Sequence, residues 1–532
     1  MSEELAGLLD LKVAWRRVKD DMRNRVFIRH PYAINLVELD LDGWLNARLS
    51  ALRSNSYTPS SMFVCEVPKG KGLVRPGSHL SYSDRLVYTA CVGACFPALH
   101  AALGWAQGTV DFSYRLAKRA TEPEWLRDRF TGWQEFRERS VQKIDAGSLY
   151  VVLADITAFY ENIDIGVLVS DLKQIGAPAE AIEQVGQCLN KWAQVGGRGI
   201  PQGQSPSDIL AKLYLNNIDE NLRNMGYDHL RYVDDIRIFC HTLVEAKKAL
   251  IELSRLLRKR GLSLQAAKSE IYRGGQAREE IEDVAVVLRG IKERFIQQVV
   301  RETGLGDPYM TVPEADDILG KNPEDAPIEV IQETYQTYFV DPSSEFNATL
   351  FRFLLNRLGK QGDGFAAEHS VTLLGDHPEE TKAIVDYLSR LDDVPDDAVI
   401  EFLSSDMAVY DYQIYQIMEF YLLRSNPATD DLLSIARPMA FDATRPRYLR
   451  TTCRALLGKY GTAADLERML NSYDEITDIS ERSELICALS RLERGRRNAF
   501  LGRAEQEGEM NMRAARWVRS LNDLTTASID LG

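Results

Sequence analysis

Residues 231–239 read RYVDDIRIF, two adjacent aspartates set between runs of strand-forming residues. Tyr, Val, Ile and Phe favour a pleated strand, whereas Asp is depleted from strand interiors. Neighbouring carboxylates also repel one another unless a positive charge sits beside them. The stretch predicts a hairpin with Asp234 and Asp235 at its tip, either as an ordinary Asp turn or as a rigid mount for metal ligands. A second signal decides between the two. In LYVVLADITAFYENID the apolar run Leu149–Leu153 ends at Asp155, where a buried strand delivers a carboxylate from a rigid element. Three carboxylates from two segments make a hard oxygen donor set suited to Mg²⁺ or Mn²⁺. Two such ions about 3.5–4 Å apart activate an attacking 3′-oxygen and stabilise a leaving pyrophosphate.

Three further segments flank these. GRGIPQGQSPSDILAKLYLNNIDENL predicts a Pro-Gln-Gly turn followed by a helix, with Ser205 or Ser207 as its cap. Ile209, Leu210, Leu213, Tyr214, Ile218 and Leu222 recur at helical spacing as its buried face. The glycine of the turn lets a flat base and its sugar come close to the backbone. CEVPKGKGLVRPGSH places Lys69, Lys71 and Arg75 around glycines in a hairpin, a grip suited to a triphosphate. In RGLSLQAAKSEIY, Lys268 follows a helix, a Gly turn and an extended segment. Each of the three alone is also what a plain turn or surface lysine looks like.

A chain of 532 residues predicts two or three domains. The formal charge of −14 is unevenly spread. The first 300 residues carry 40 Lys+Arg against 37 Asp+Glu, and the rest 24 against 41, so only the first part is suited to phosphates. The start, MSEELAGLLDLKVAWRRVKD, carries early acids and does not read as a signal peptide. VGACFPALHAALGWA is too short and interrupted for a membrane span. Seven cysteines without a CxxC pair and seven scattered histidines give no zinc pattern. Cys91 and Cys95 are expected to be packing residues in a reduced, cytosolic protein. From about 300 to 330 the chain turns rich in Gly, Pro and acid, a predicted linker. Beyond it YQIMEFYLLRSNPATDDLLSIA, YLRTTCRALLGKYGTAADLERML and ERSELICALSRLERGRRNAFLGRA each read as helix, break, helix. Leu422, Leu457 and Leu492 recur every 35 residues, which suggests an α-solenoid of the HEAT or TPR kind, with a non-repeating bundle as the alternative.

The order of these parts resembles the fingers and palm of reverse transcriptases over roughly residues 60–290. Asp155 matches the motif A aspartate, and Tyr160 the aromatic gate that excludes a ribose 2′-hydroxyl. Gln202 matches the motif B glutamine against the incoming nucleotide. Tyr232-Val233-Asp234-Asp235 matches motif C, and Lys268 looks like the motif D lysine that protonates pyrophosphate. Lys69 and Arg75 resemble the fingers residues that hold the triphosphate. Motif B departs from the bacterial pattern at Asp208, where Pro is usual, and at Lys212, where Asn is usual. FSYRLAKRA, with Arg115, looks like a degraded group II intron segment.

The resemblance implies an α+β right-hand polymerase, residues 1–300 with an N-terminal helical extension, then a linker (301–330) and an all-α HEAT-like repeat domain (331–532). This architecture is similar to bacterial abortive-infection and defence-associated reverse transcriptases. It implies DNA synthesis from dNTPs with two Mg²⁺ ions, for which Mn²⁺ can substitute, on an RNA template or without one, in antiphage defence in the bacterial cytoplasm. Priming from a protein tyrosine occurs in some members, and 22 tyrosines do not single one out here. A noncoding RNA, a second copy of the chain and a phage-derived trigger are the further partners it allows, and no membrane. The acidic half is expected to contact protein: another subunit, a phage component or its own palm. The alternatives are an intron- or retron-like enzyme copying a dedicated RNA, a catalytically silent RNA-binding scaffold, and an RNA-synthesising polymerase that Tyr160 disfavours.

Overall fold

The computed structural model describes residues 2–127, 129–193, 196–282, 327–341 and 346–521. Its first elements are four helices, α1 (Ser2–Leu8), α2 (Leu11–Asn24), α3 (Ala33–Glu38) and α4 (Leu41–Arg53). Asp10 and Asp40 cap α2 and α4, each accepting from the backbone N–H three residues on. Ala14, Trp15, Val18 and Met22 form the buried stripe of α2 and pack with Trp44 and Leu45 of α4.

The predicted basic hairpin is present as β1 (Phe63–Lys69) and β2 (Leu73–His79), with Lys69 opposite Leu73. Lys71 and Gly72 close it at φ +66° and +69°, the left-handed region that a tight two-strand turn requires. Helices α5 (Tyr82–Ala94) and α6 (Phe96–Leu103) follow. Cys91 and Cys95 are fully buried there, as are all seven cysteines within the described residues. No single described helix is long and apolar enough to cross a membrane; only α5 and α6 together, bent by 57°, pass on length and composition.

A two-residue ladder, β3 (Arg115–Leu116) with β4 (Leu126–Arg127), precedes α7 (Arg129–Asp145). Next come β5 (Tyr150–Asp155), α8 (Phe159–Asn162), α9 (Ile165–Gln174), α10 (Ala179–Trp192), α11 (Ser205–Asn224), β6 (Asp228–Tyr232), β7 (Asp235–Cys240), α12 (Leu243–Lys259) and β8 (Glu270–Arg273). Strands β5 to β8 form one antiparallel sheet in the order β6-β7-β5-β8. Period-2 alternation sends Val152, Ala154, Ile236, Ile238 and Cys240 into the large core beneath α9, α11 and α12. Val151, Leu230 and Phe239 face the other way, onto Phe112 and Phe136. The strand begins at Tyr150; Leu149, read as part of its buried run, is 61% exposed.

Residues 301–326 of the predicted linker lie outside the described residues, and a helix already begins at Ile328. From there on the structure is helical, with a break inside each of the three segments named above: Asp411–Leu423 then Asp430–Phe441, Arg447–Tyr460 then Ala463–Asn471, Ile479–Ala488 then Arg494–Ala504. Alternate helices stack on one another, Ala348–Lys360 on Thr381–Leu388, then Asp411–Leu423, Arg447–Tyr460, Ile479–Ala488 and Glu509–Ser520. Leu422, Leu457 and Leu492 are all buried in the resulting core.

Of the contacts considered for this acidic half, the structure shows one with its own chain. Ile28, Tyr32, Leu36, Cys65 and Val67 belong to the same apolar core as the stacked helices. Arg29 pairs with Glu419, and Arg48 with Glu509 at 2.8 Å, across the same boundary. The Tyr412 hydroxyl donates to the Phe27 carbonyl at 3.1 Å.

Candidate active site

The register of the sheet brings the three predicted carboxylates together. Asp155, the last residue of β5, lies directly opposite Asp235, the first of β7, and Asp234 sits in the β6–β7 turn between Tyr232 and Asp235. That turn is held in an unusual shape, because Val233 has φ +54°, a costly conformation for a β-branched residue. Arg231 steadies it by donating to the Val233 carbonyl at 3.1 Å. Burial, with Asp155 close by, pushes the Asp234 carboxyl up to about 6. Asp235 is also raised, mainly by burial, with Arg237 opposing. Arg237 itself is fixed by Ser140 at 3.0 Å and by the Phe136 ring 4.0 Å below its guanidinium, and it reaches Asp235 at 3.4 Å.

Lys268 lies beside Asp155. Residues 263–269 run along the end of β5, with Gln265 N–H donating to the Asp155 carbonyl at 2.8 Å. This places the Lys268 ammonium 3.6 Å from the Asp155 carboxylate. Among the described residues no three carboxylate, imidazole or thiol side chains are grouped so as to hold a metal ion; Asp155 leans to Lys268 and Asp235 to Arg237. Each cation neutralises a carboxylate that the strands have placed beside the others.

Of the predicted nucleotide-binding residues, Arg75, Tyr160 and Gln202 line a single cavity of about 920 Å³ that the stacked helices also line, through Tyr415 and Glu419; Asp155, Asp234 and Asp235 are not among its lining residues. Lys69 is not among its lining residues; it lies near Glu161 instead. Arg75 sits with its guanidinium 5.5 Å from the Phe27 ring, and the Gln202 N–H donates to Ser78 of the hairpin at 3.0 Å. Gly203 has φ +79°. A Cβ there would meet the Phe27 ring at 3.0 Å and the Arg25 carbonyl at 3.1 Å. The close approach expected of a base and sugar at Gly203 is thus made by the chain's own N-terminal segment.

The helix after the turn is capped differently from the expectation for Ser205 or Ser207. Gln204 occupies the N-cap without a side-chain bond. Both the N–H and the hydroxyl of Ser205 donate to Asp21 of α2, at 2.9 and 2.7 Å, so the orphan donor is satisfied from another element. Ser207 bonds Tyr88. The six predicted core positions of α11 are all buried. The two departures in motif B are both engaged. Asp208 accepts from the Tyr160 hydroxyl at 2.7 Å and from Arg25 at 2.6 Å. Lys212 is buried and pairs with Asp111 at 2.6 Å, and Arg231 joins Asp111 to Asp219. Arg115 pairs with Glu135.

Asp21, Arg25, Asp111 and Asp219 went unmarked in the sequence. Arg25 and Asp208 are 183 residues apart and Arg231 and Asp111 are 120 apart, so no local pattern joins them. The only sequence signal was the unusual acid at 208 and base at 212.

Residues 67–305 match the family model described as reverse transcriptase (RNA-dependent DNA polymerase), a little under half of the chain. No curated protein matches. Similar solved structures include apo telomerase from Candida tropicalis truncated from its C-terminal domain, at 13% identity and TM-score 0.30, covering 40% of this chain and 50% of that one. A partial Cas6-RT-Cas1–Cas2 complex gives 19% identity and TM-score 0.28 over 48% and 41%. Telomerase from Candida albicans in complex with a telomeric RNA fragment gives 12% and 0.30 over 77% and 73%. The chain spans about half the length of the first of these. Residues 67–305 are thus similar to a reverse transcriptase domain.

Proposed function

We propose that the chain adds dNTPs to a growing DNA strand by two-metal-ion catalysis, with Asp155, Asp234 and Asp235 as the metal-holding carboxylates. The observation that carries this is the pairing of Asp155 with Asp235 across β5 and β7, with Asp234 in the adjoining turn. The donor chemistry is of the kind that suits Mg²⁺ or Mn²⁺: three carboxylates, Asp155 and Asp235 at the ends of paired strands and Asp234 in the turn beside them. When bound, such ions lower the barrier to attack and neutralise charge on the leaving group. Lys268, beside Asp155, is placed to give a proton to pyrophosphate. Tyr160 and Gln202 position the nucleotide, Tyr160 excluding a 2′-hydroxyl, and Arg75 faces the same cavity for the triphosphate. Lys69 lies outside that cavity, near Glu161.

The finer assignment is an abortive-infection or defence-associated enzyme of the bacterial cytoplasm. Residues 1–300 form the fingers and palm and 331–532 a HEAT-like solenoid. Supporting it are the stacking of alternate helices and their union with the hairpin and N-terminal helices in one core. Enzymes of that class copy an RNA template or none, and in some of them a protein tyrosine primes synthesis.

The test compares wild type with Asp234→Ala/Asp235→Ala on labelled dNTPs, and separately rNTPs, with Mg²⁺ or Mn²⁺, with and without template–primer and copurifying RNA. The expected result is a dNTP-dependent polymer from wild type alone, abolished by chelation. A shift of its mobility on proteolysis identifies protein priming. Absence of polymer under every condition, with phage protection surviving the double substitution, overturns the proposal.

A further inference from the structure

The geometry points to Asp208 as a positioning residue for sugar selection, acting through Tyr160; this deepens the polymerase proposal above and rests on it. Asp208 is 8% exposed, in the first turn of α11. One carboxylate oxygen accepts the Tyr160 hydroxyl at 2.7 Å and the other accepts Arg25 at 2.6 Å. An O–H···O⁻ bond of this kind is about twice as strong as a neutral one and sharply directional. Arg25 is in turn held near Asp21 at 3.5 Å, and its guanidinium lies 4.8 Å from the Tyr114 ring. The carboxylate is therefore fixed before it fixes the phenol.

The consequence concerns the ring. Tyr160 lies at the start of the cavity that Gln202, Gly203 and Arg75 also line. Its neighbour Phe159 packs against it with ring centres 5.4 Å apart. Phe159 holds one side of the ring, and the bond at the para position restrains its remaining swing about χ1. A gate excludes a hydroxyl group only if it cannot move aside, since a displacement of about 1 Å is enough to change rates about 100-fold at a reacting centre. Cutting the bond at either end leaves the ring in place but free to yield to a 2′-hydroxyl.

The experiment measures kcat/KM for dATP and ATP incorporation by wild type, Asp208→Ala, Asp208→Asn, Tyr160→Phe and Asp208→Ala/Tyr160→Phe. Asp208→Ala and Tyr160→Phe should each lower the deoxy-to-ribo preference by about 10-fold or more, about 1.4 kcal/mol. The double variant should fall no further than either single one, because both cut the same bond. Asp208→Asn keeps an acceptor for Tyr160 and loses the ion pair with Arg25, so its preference should lie between wild type and Asp208→Ala. If Asp208→Ala fails to fold, Tyr160→Phe and Asp208→Asn carry the comparison. An unchanged preference in the folded variants, or additive losses in the double one, overturns the role of Asp208 while leaving the polymerase in place. A wild type that incorporates no nucleotide under any condition overturns both.

Discussion

Replacing Arg231 by Met tests the most deeply buried electrostatic arrangement under the candidate active site. The Arg231 side chain is 1% exposed, and its partners Asp111 and Asp219 are 2% and 0% exposed. It donates to Asp219 at 2.7 Å, to Asp111 at 2.9 Å and to the Val233 carbonyl at 3.1 Å. Met fills much of the same volume but none of the charge. Asp111 would keep Lys212 at 2.6 Å, whereas Asp219 would keep only His229 at 3.3 Å. Removing one member of a buried pair costs about 3–5 kcal/mol, because a charge is left uncompensated. For a domain of this size that is about 6–20 °C in Tm. The pH dependence follows in sign. Burial raises both carboxyls, but Arg231 and its neighbours more than offset it, and both lie below the usual carboxylate range. Such a group contributes stability above its unfolded value of about 3.9 and loses it as pH falls through the folded value. In the variant, Asp219 is raised instead and takes up a proton on acidification. The Tm gap should therefore be widest near pH 7.5 and narrow toward pH 4.5. Thermal melting across that range is the assay, with Arg231→Met/Asp219→Leu as the second variant. The double variant should recover part of the loss. A single variant within about 1 kcal/mol of wild type, or a gap that does not change with pH, would refute the reasoning.

Three other outcomes are expected. Asp234→Asn should melt higher than wild type without metal at pH 8, by about 1–2 kcal/mol once partial exposure is allowed for. The two should be level at pH 4, because a carboxyl raised to about 6 costs stability only where it must be charged. Gly203→Ala places a Cβ at φ +79° against the Phe27 ring and the Arg25 carbonyl. It should lower stability by about 1–3 kcal/mol and raise the KM for dNTPs; a neutral effect on both would show that the segment 25–27 moves away freely. Glu419→Gln removes the charge facing Arg29 at the boundary between the hairpin region and the stacked helices. A Tm lowered by the equivalent of about 1.5–3 kcal/mol is expected, and an unchanged Tm would mean that the apolar core alone holds the boundary.

What could be read in the sequence was whatever depends on local order. Asp155, Asp234 and Asp235 were visible because each ends or begins a strand, and strand register then carries them together without further information. The hairpin around Lys71 and the buried face of α11 were visible for the same reason, since turn chemistry and helical periodicity are local properties. The helix pairs between residues 415 and 504 were visible through the break inside each segment.

The surroundings of the site were not visible, because they are made by a segment far away in sequence. Residues 21–29 cap α11 through Asp21, anchor Asp208 through Arg25, occupy the space over Gly203 through Phe27 and reach Glu419 through Arg29. A glycine in a Pro-Gln-Gly turn says that something comes close; it does not say whether that is a substrate or the chain itself. The Ser at a helix start likewise signals an unsatisfied N–H, not which oxygen will answer it, and here a carboxylate 184 residues away does so. One short N-terminal stretch thus touches motif B on one side and the stacked helices on the other. A displacement of those helices against α11 has to be taken up along this stretch, at the Arg29–Glu419 pair, at the Arg25–Asp208 pair or in the backbone between them. For that reason the acidic half, which carries none of the predicted catalytic residues, is mechanically joined to the turn on which the nucleotide is expected to rest.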